Sequence, residues 1–171
     1  MSSPAERYAA ARRRGAHPAL ADFTVELGFT LDPFQVEACE ALDEGAGVLV
    51  CAPTGAGKTV VGEFAVHKAL AEGRKAFYTT PIKALSNQKY NDLVDRYGEA
   101  RVGLLTGDNA INGDAPVVVM TTEVLRNMIY AGSPALQRLR HVVLDEVHYL
   151  QDTYRGPVWE EVQALRLPVA G

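Results

Sequence analysis

Two short segments carry residue types that could act together on a phosphate chain. The first is Ala52-Pro53-Thr54-Gly55-Ala56-Gly57-Lys58-Thr59. Glycines at 55 and 57 let backbone N–H groups turn inward around an anion. The Lys58 ammonium adds a point charge for the outer phosphates, and the Thr59 hydroxyl is a magnesium ligand. A helix starting near Lys58 would aim the positive end of its dipole at the same place. Ala52 stands where such loops usually have their first glycine. The second segment is Val142-Val143-Leu144-Asp145-Glu146-Val147-His148, an apolar run ending in two carboxylates. Asp145 at a strand end can hold magnesium, directly or through water, which leaves Glu146 to orient and deprotonate an attacking water. Alone, a pair of acids there is usually solvated surface. With the loop upstream, the two segments read as a nucleoside triphosphate site using magnesium.

The intervening sequence supplies the elements to position them. Val48-Leu49-Val50-Cys51-Ala52 is an apolar run without alternation, as in a strand buried on both faces. After the glycine-rich turn, residues 58–71 have apolar positions at helical spacing, with Gly73 as the stop. Strands are predicted at 75–80, 102–106, 117–121 and 142–145. A loop and helix over 81–97 end at Gly98, Asn112-Gly113 marks a turn, and a helix runs from about 123 to 130. Strand alternating with helix predicts an α/β fold with a mostly parallel sheet and helices on both faces. Ligands of such sheets sit at the carboxyl ends of the strands, where both segments fall.

The 171 residues suit one domain with a sizeable core. A formal charge of -4 gives no bulk support for a nucleic-acid partner, although a local basic patch is enough for one. Cys39 and Cys51 match no zinc spacing and read as buried small side chains. No apolar run approaches the roughly 20 residues that span a bilayer, and no apolar stretch follows Arg12-Arg13-Arg14 as in a signal peptide. A cytoplasmic protein without a membrane partner is expected. Residues 1–21 read as a mobile leader and 22–171 as the folded domain. The triple arginine is either a solvated run or a phosphate contact.

Further segments give the chain a family resemblance. Asp145-Glu146-Val147-His148 resembles the DExH box of superfamily 2 helicases. Phe29-Thr30-Leu31-Asp32-Pro33-Phe34-Gln35 resembles the nucleotide-base motif of the Ski-like (superkiller-type) RNA helicases, and Thr80 to Lys89 resembles their motif Ia. Gly103 to Asp108, Thr121 to Met128 and Arg155 to Glu161 resemble later segments in order, with the actinobacterial HelY type as the nearest branch. The resemblance implies the first RecA-like, P-loop NTPase domain of an ATP-dependent RNA helicase.

The resemblance also implies roles. Gln35 would read the adenine edge and Phe29 would stack on the base, Phe29 and Phe34 being alternatively core anchors. Pro53, Thr54, Gly55, Ala56, Gly57, Lys58 and Thr59 would hold ATP, Thr59 and Asp145 magnesium, and His148 would couple the sites. Pro81, Ile82, Lys83, Asn87, Gln88, Gly107, Asp108, Thr121, Thr122 and Arg126 would hold a nucleic-acid backbone. Pro81 could instead simply end its element, and Trp159 would pack on the domain. A Ser-Ala-Thr segment and a second RecA-like domain with transition-state arginines would follow residue 171. The fragment alone is therefore expected to bind nucleotide weakly, hydrolyse slowly and not unwind. A DNA-directed helicase and a non-catalytic binding module are the rival readings. A P-loop kinase or switch GTPase would leave Gln35 and motif Ia unexplained.

Overall fold

A computed structural model of the chain describes residues 3–148 and 169–170. Three helices lead in: α1 (Pro4–Ala16), α2 (Pro18–Leu27) and α3 (Pro33–Asp43). Then come α4 (Thr59–Ala71), β1 (Lys75–Thr80), α5 (Lys83–Tyr97), β2 (Val102–Leu105), β3 (Ala110–Ile111), β4 (Val117–Thr121), α6 (Thr122–Tyr130), a 3₁₀ turn (Pro134–Arg138), β5 (Leu139–Leu144) and β6 (Val169–Ala170). Among the described residues the sheet order is β3-β2-β4-β1-β5-β6, with β2 and β3 antiparallel and the other pairs parallel.

Side chains of a strand alternate between faces, and two cores follow from that period. Ala76, Tyr78, Val117, Val119 and Val143 face one way and pack with α2 to α5 through Phe23, Leu42, Phe64, Ala65 and Leu93. Phe77, Val118, Met120, Val142 and Leu144 face the other way and pack with Leu125 of α6. This is the expected mostly parallel sheet with helices on both faces.

One expectation changes, and two features are added. Val48 to Ala52 holds only an isolated bridge at Val48. Val48 and Val50 lean on the first core while Leu49 and Cys51 are exposed, so the run is buried on one side and not on two. The β5 edge away from β1 is paired instead with β6, Val142 opposite Val169. In residues 1–21, expected as a mobile leader, α1 starts at a Ser3–Glu6 capping box and buries nothing, while α2 runs across position 21 and seats Leu20 and Phe23 in the core. Among the described residues no helix is long and apolar enough to cross a membrane. The segment from Arg155 to Glu161, with Trp159, lies outside the described residues.

Candidate nucleotide site and nucleic-acid face

The phosphate loop is shaped by its glycines. Gly55 and Gly57 have φ of 83° and 78°, in the left-handed region that costs other residues energy. A Cβ on Gly57 would also lie 2.6 Å from Gln35 Nε2. That close approach lets the Gln35 amide brace the loop. Nε2 donates to the Gly57 carbonyl at 2.9 Å, and Oε1 accepts the Asp32 N–H at 2.8 Å. Gln35 is buried, so half of its amide capacity is spent on the fold and one N–H and one lone pair remain.

Lys58 and Thr59 open α4 beside a cavity of about 200 Å³, which Asp145, Glu146 and His148 also line. The Lys58 ammonium donates to the Ala52 carbonyl at 2.6 Å, which holds it at the mouth of the loop. Asp145 follows β5, and its N–H donates to the Thr79 carbonyl of neighbouring β1 at 2.9 Å. Tyr78 donates its hydroxyl to Asp145 Oδ2 at 2.8 Å. Burial first, then the Asp145 carboxylate, push the Tyr78 hydroxyl well above its ordinary range, so it remains a donor. The Glu146 backbone turns sharply, with φ of 55°, and its N–H donates to Asp145 Oδ1 at 2.9 Å. His148 Nδ1 lies 3.2 Å from Glu146 Oε2.

This donor set suits magnesium. Among the described residues no three His, Cys, Asp or Glu side chains cluster to cage a metal. Magnesium rarely needs such a cage, because it takes one or two protein oxygens together with phosphate oxygens and water. Thr59 and Asp145 on one cavity are that kind of pair.

The segments expected to hold nucleic acid meet at the carboxyl ends of β1, β4 and β2. Thr80 Oγ1 is 2.7 Å from Ser86 Oγ on α5 and donates to the Ile82 carbonyl at 3.0 Å. Thr122 at the start of α6 donates to the Thr80 carbonyl at 3.2 Å. Lys83 pairs with Asp108 across the rim at 2.5 Å. That hydrogen bond holds the Asp108 carboxyl below its ordinary range. Ile82, Lys83, Gln88, Gly107 and Asp108 are exposed, and Asn87 and Arg126 half-buried. Pro81, Thr121 and Thr122 are buried, and the Thr122 hydroxyl already serves as a strut between β1 and α6. Phe29 is 51% exposed and free to stack, whereas Phe34 is half-buried. Sequence reasoning missed Tyr78, whose only signal was a hydroxyl near the end of a predicted strand.

Fold and site together define a RecA-like α/β domain with a phosphate loop. The chain matches the DEAD/DEAH box helicase family over residues 32–170 and belongs to it. It is 73% identical over 149 residues to the probable helicase HelY of Mycobacterium leprae, covering 87% of this chain and 16% of that protein. It is 52% identical over 133 residues to the ATP-dependent RNA helicase mtr4 of Schizosaccharomyces pombe, covering 78% of this chain and 12% of that one. Among solved structures, the Mycobacterium smegmatis helicase Lhr bound to ssDNA and AMP-PNP superposes with a TM-score of 0.67 at 26% identity, covering 89% of this chain and 23% of that one. The expected resemblance to Ski-like DExH helicases, the HelY type included, is borne out. The chain spans less than a fifth of the length of these two sequence relatives.

Proposed function

We propose that this chain is the ATP-binding motor domain of a cytoplasmic ATP-dependent RNA helicase, coupling ATP hydrolysis to strand translocation or unwinding. One observation carries the reading. The end of β1 touches both halves of the machine: Thr79 holds Asp145, and Thr80 holds the start of α5 and α6. A change at the phosphate site therefore reaches the nucleic-acid face through two consecutive residues.

The roles follow from geometry and chemistry. The N–H groups of Thr54, Gly55 and Gly57 and the Lys58 ammonium would bind the phosphates. Thr59 and Asp145 would hold magnesium, which neutralises charge on the phosphate oxygens. Glu146 orients the attacking water and accepts its proton. Gln35 keeps one donor and one acceptor for an adenine edge, and Phe29 offers a ring face. The side chains of Lys83, Asn87 and Gln88 and the exposed backbone of Gly107 suit a sugar-phosphate backbone, which needs no base readout. The required partner is a second RecA-like domain, because translocation needs two bodies that close and open around nucleotide.

The test is binding of a fluorescent ATP analogue with magnesium. Replacing Lys58 removes a charge-assisted bond, so Lys58→Ala should weaken binding by about ten- to a hundredfold. Equal binding by mutant and wild type would refute the site. A DNA-directed reading is favoured by the likeness to Lhr, whose structure holds ssDNA. Competition between single-stranded RNA and DNA of one sequence separates the two, because only RNA carries the 2′-hydroxyl. Preference for RNA upholds the proposal, and equal or better binding of DNA upholds the alternative.

A further inference from the structure

We infer that Tyr78 is a positioning residue for Asp145, setting the carboxylate that would hold magnesium. The inference rests on the nucleotide-site reading above. Tyr78 is fully buried, and its hydroxyl reaches Asp145 Oδ2 at 2.8 Å from the adjacent strand. The Glu146 N–H takes Oδ1 at 2.9 Å. A carboxylate has about four lone-pair sites. One bond on each oxygen fixes its plane and leaves each oxygen free capacity on the cavity.

The ring itself is clamped from two helices. On the α4 side, Gly62 makes room: a Cβ there would lie 2.8 Å from Val143 Cγ1 and 3.3 Å from Tyr78 Cε2. On the α5 side, the Lys89 ammonium stands 5.2 Å from the ring centroid and pairs with Glu63 at 3.2 Å. A buried ring held in this way aims its hydroxyl in one direction. Phenylalanine would fill the same space without the bond. Groups that orient a metal ligand typically change metal affinity ten- to a hundredfold when removed.

The experiment titrates magnesium into the protein with a fluorescent ATP analogue, and repeats the binding in EDTA. Tyr78→Phe should raise the magnesium concentration for half-maximal binding by about tenfold. Its affinity in EDTA should stay at the wild-type value, since Lys58 and the loop are intact. Gly62→Ala, which keeps the hydroxyl but crowds the ring, should shift the titration in the same direction. A melting curve without nucleotide confirms that each variant is folded. A wild-type titration for Tyr78→Phe overturns the inference, as does an equal loss of binding with and without magnesium, which would mark a merely structural tyrosine. If wild type itself shows no magnesium-dependent binding, the nucleotide-site reading fails and this inference goes with it.

Discussion

The two ends of the sheet both gather charge, and they treat it differently. At the amino end, Lys68 of α4 is 7% exposed and lies between Asp43 at 2.5 Å and Glu72 at 3.2 Å. Asp43 also meets His17 Nδ1 at 2.8 Å, and Glu72 meets Arg140 at 3.2 Å. Within this network Asp43 and Glu72 each meet two basic side chains, and Lys68 meets both carboxylates. At the carboxyl end, Lys58 rests on a backbone carbonyl, Glu146 is exposed, and Asp145 keeps lone pairs in reserve. Buried charge survives only when its partners are complete. Charge that must meet a ligand has to stay incomplete. Closure marks the scaffold network around Lys68, and open capacity marks the working end.

The largest test of that contrast removes Lys68. Lys68→Ala breaks its nearly buried pair with Asp43 and also frees the exposed Glu72, which costs about 3–5 kcal/mol. That is much of the roughly 5–15 kcal/mol a domain has. The melting temperature should fall steeply, while the folded fraction binds nucleotide as before. Lys58→Ala should do the reverse, keeping the melting temperature and losing the nucleotide. A stable Lys68→Ala protein would break the comparison.

A second test uses pH. His141 is wholly buried at the start of β5, and neither ring nitrogen has a hydrogen-bond partner among the described residues. Burial first, then Arg140 and Lys68 against the opposing Glu72, lower its pKa from 6.5 to about 4. Between those values the unfolded chain binds a proton that the folded chain refuses. Stability is therefore full above pH 6.5, falls as pH drops through the window, and levels off below pH 4. The shift corresponds to about 3 kcal/mol. His141→Leu should flatten this stretch of the melting profile and cost little at pH 7, since no hydrogen bond is lost. The ion network acts at lower pH. Burial raises Asp43 and Glu72, but hydrogen bonds led by Lys68 outweigh it and hold both below their ordinary 3.8 and 4.5. Their contribution is lost only as pH falls through those lowered values. An unchanged slope in His141→Leu would mean that another group senses the window.

The working end was the more legible of the two in the sequence. The loop from Ala52 to Thr59 and the acids at 145 and 146 are local patterns, and local patterns survive without knowledge of the fold. β1 and β4 fall at their expected residues because each is a short apolar run bounded by turn signals. The run at Val48 failed because apolarity reports burial without saying whether a neighbouring strand is available. The scaffold end was nearly invisible. Asp43 and Lys68 are 25 residues apart, and nothing in either segment says that α3 and α4 bring them together. Tyr78 escaped for the same reason, because its bond to Asp145 spans 67 residues and depends on β1 lying beside β5.

The rim pair Lys83–Asp108 tests the contrast at its smallest scale. It is closed like the scaffold network but sits, exposed, on the working end. An exposed pair adds little to stability, so closure there calls for another reason. Asp108 presents a carboxylate to the one lysine expected to hold the nucleic-acid backbone, and so competes with nucleic acid for it. Asp108→Asn should leave the melting temperature unchanged and tighten single-stranded RNA by a few-fold, roughly one phosphate contact's share. The slope of log affinity against log salt should steepen by about one, as for one additional phosphate contact. Lys83→Ala should flatten it, and in the double variant the asparagine should have no effect. Weaker RNA binding by Asp108→Asn would instead show that the carboxylate orders the lysine for its contact, which would place closure in the service of function at this end as well.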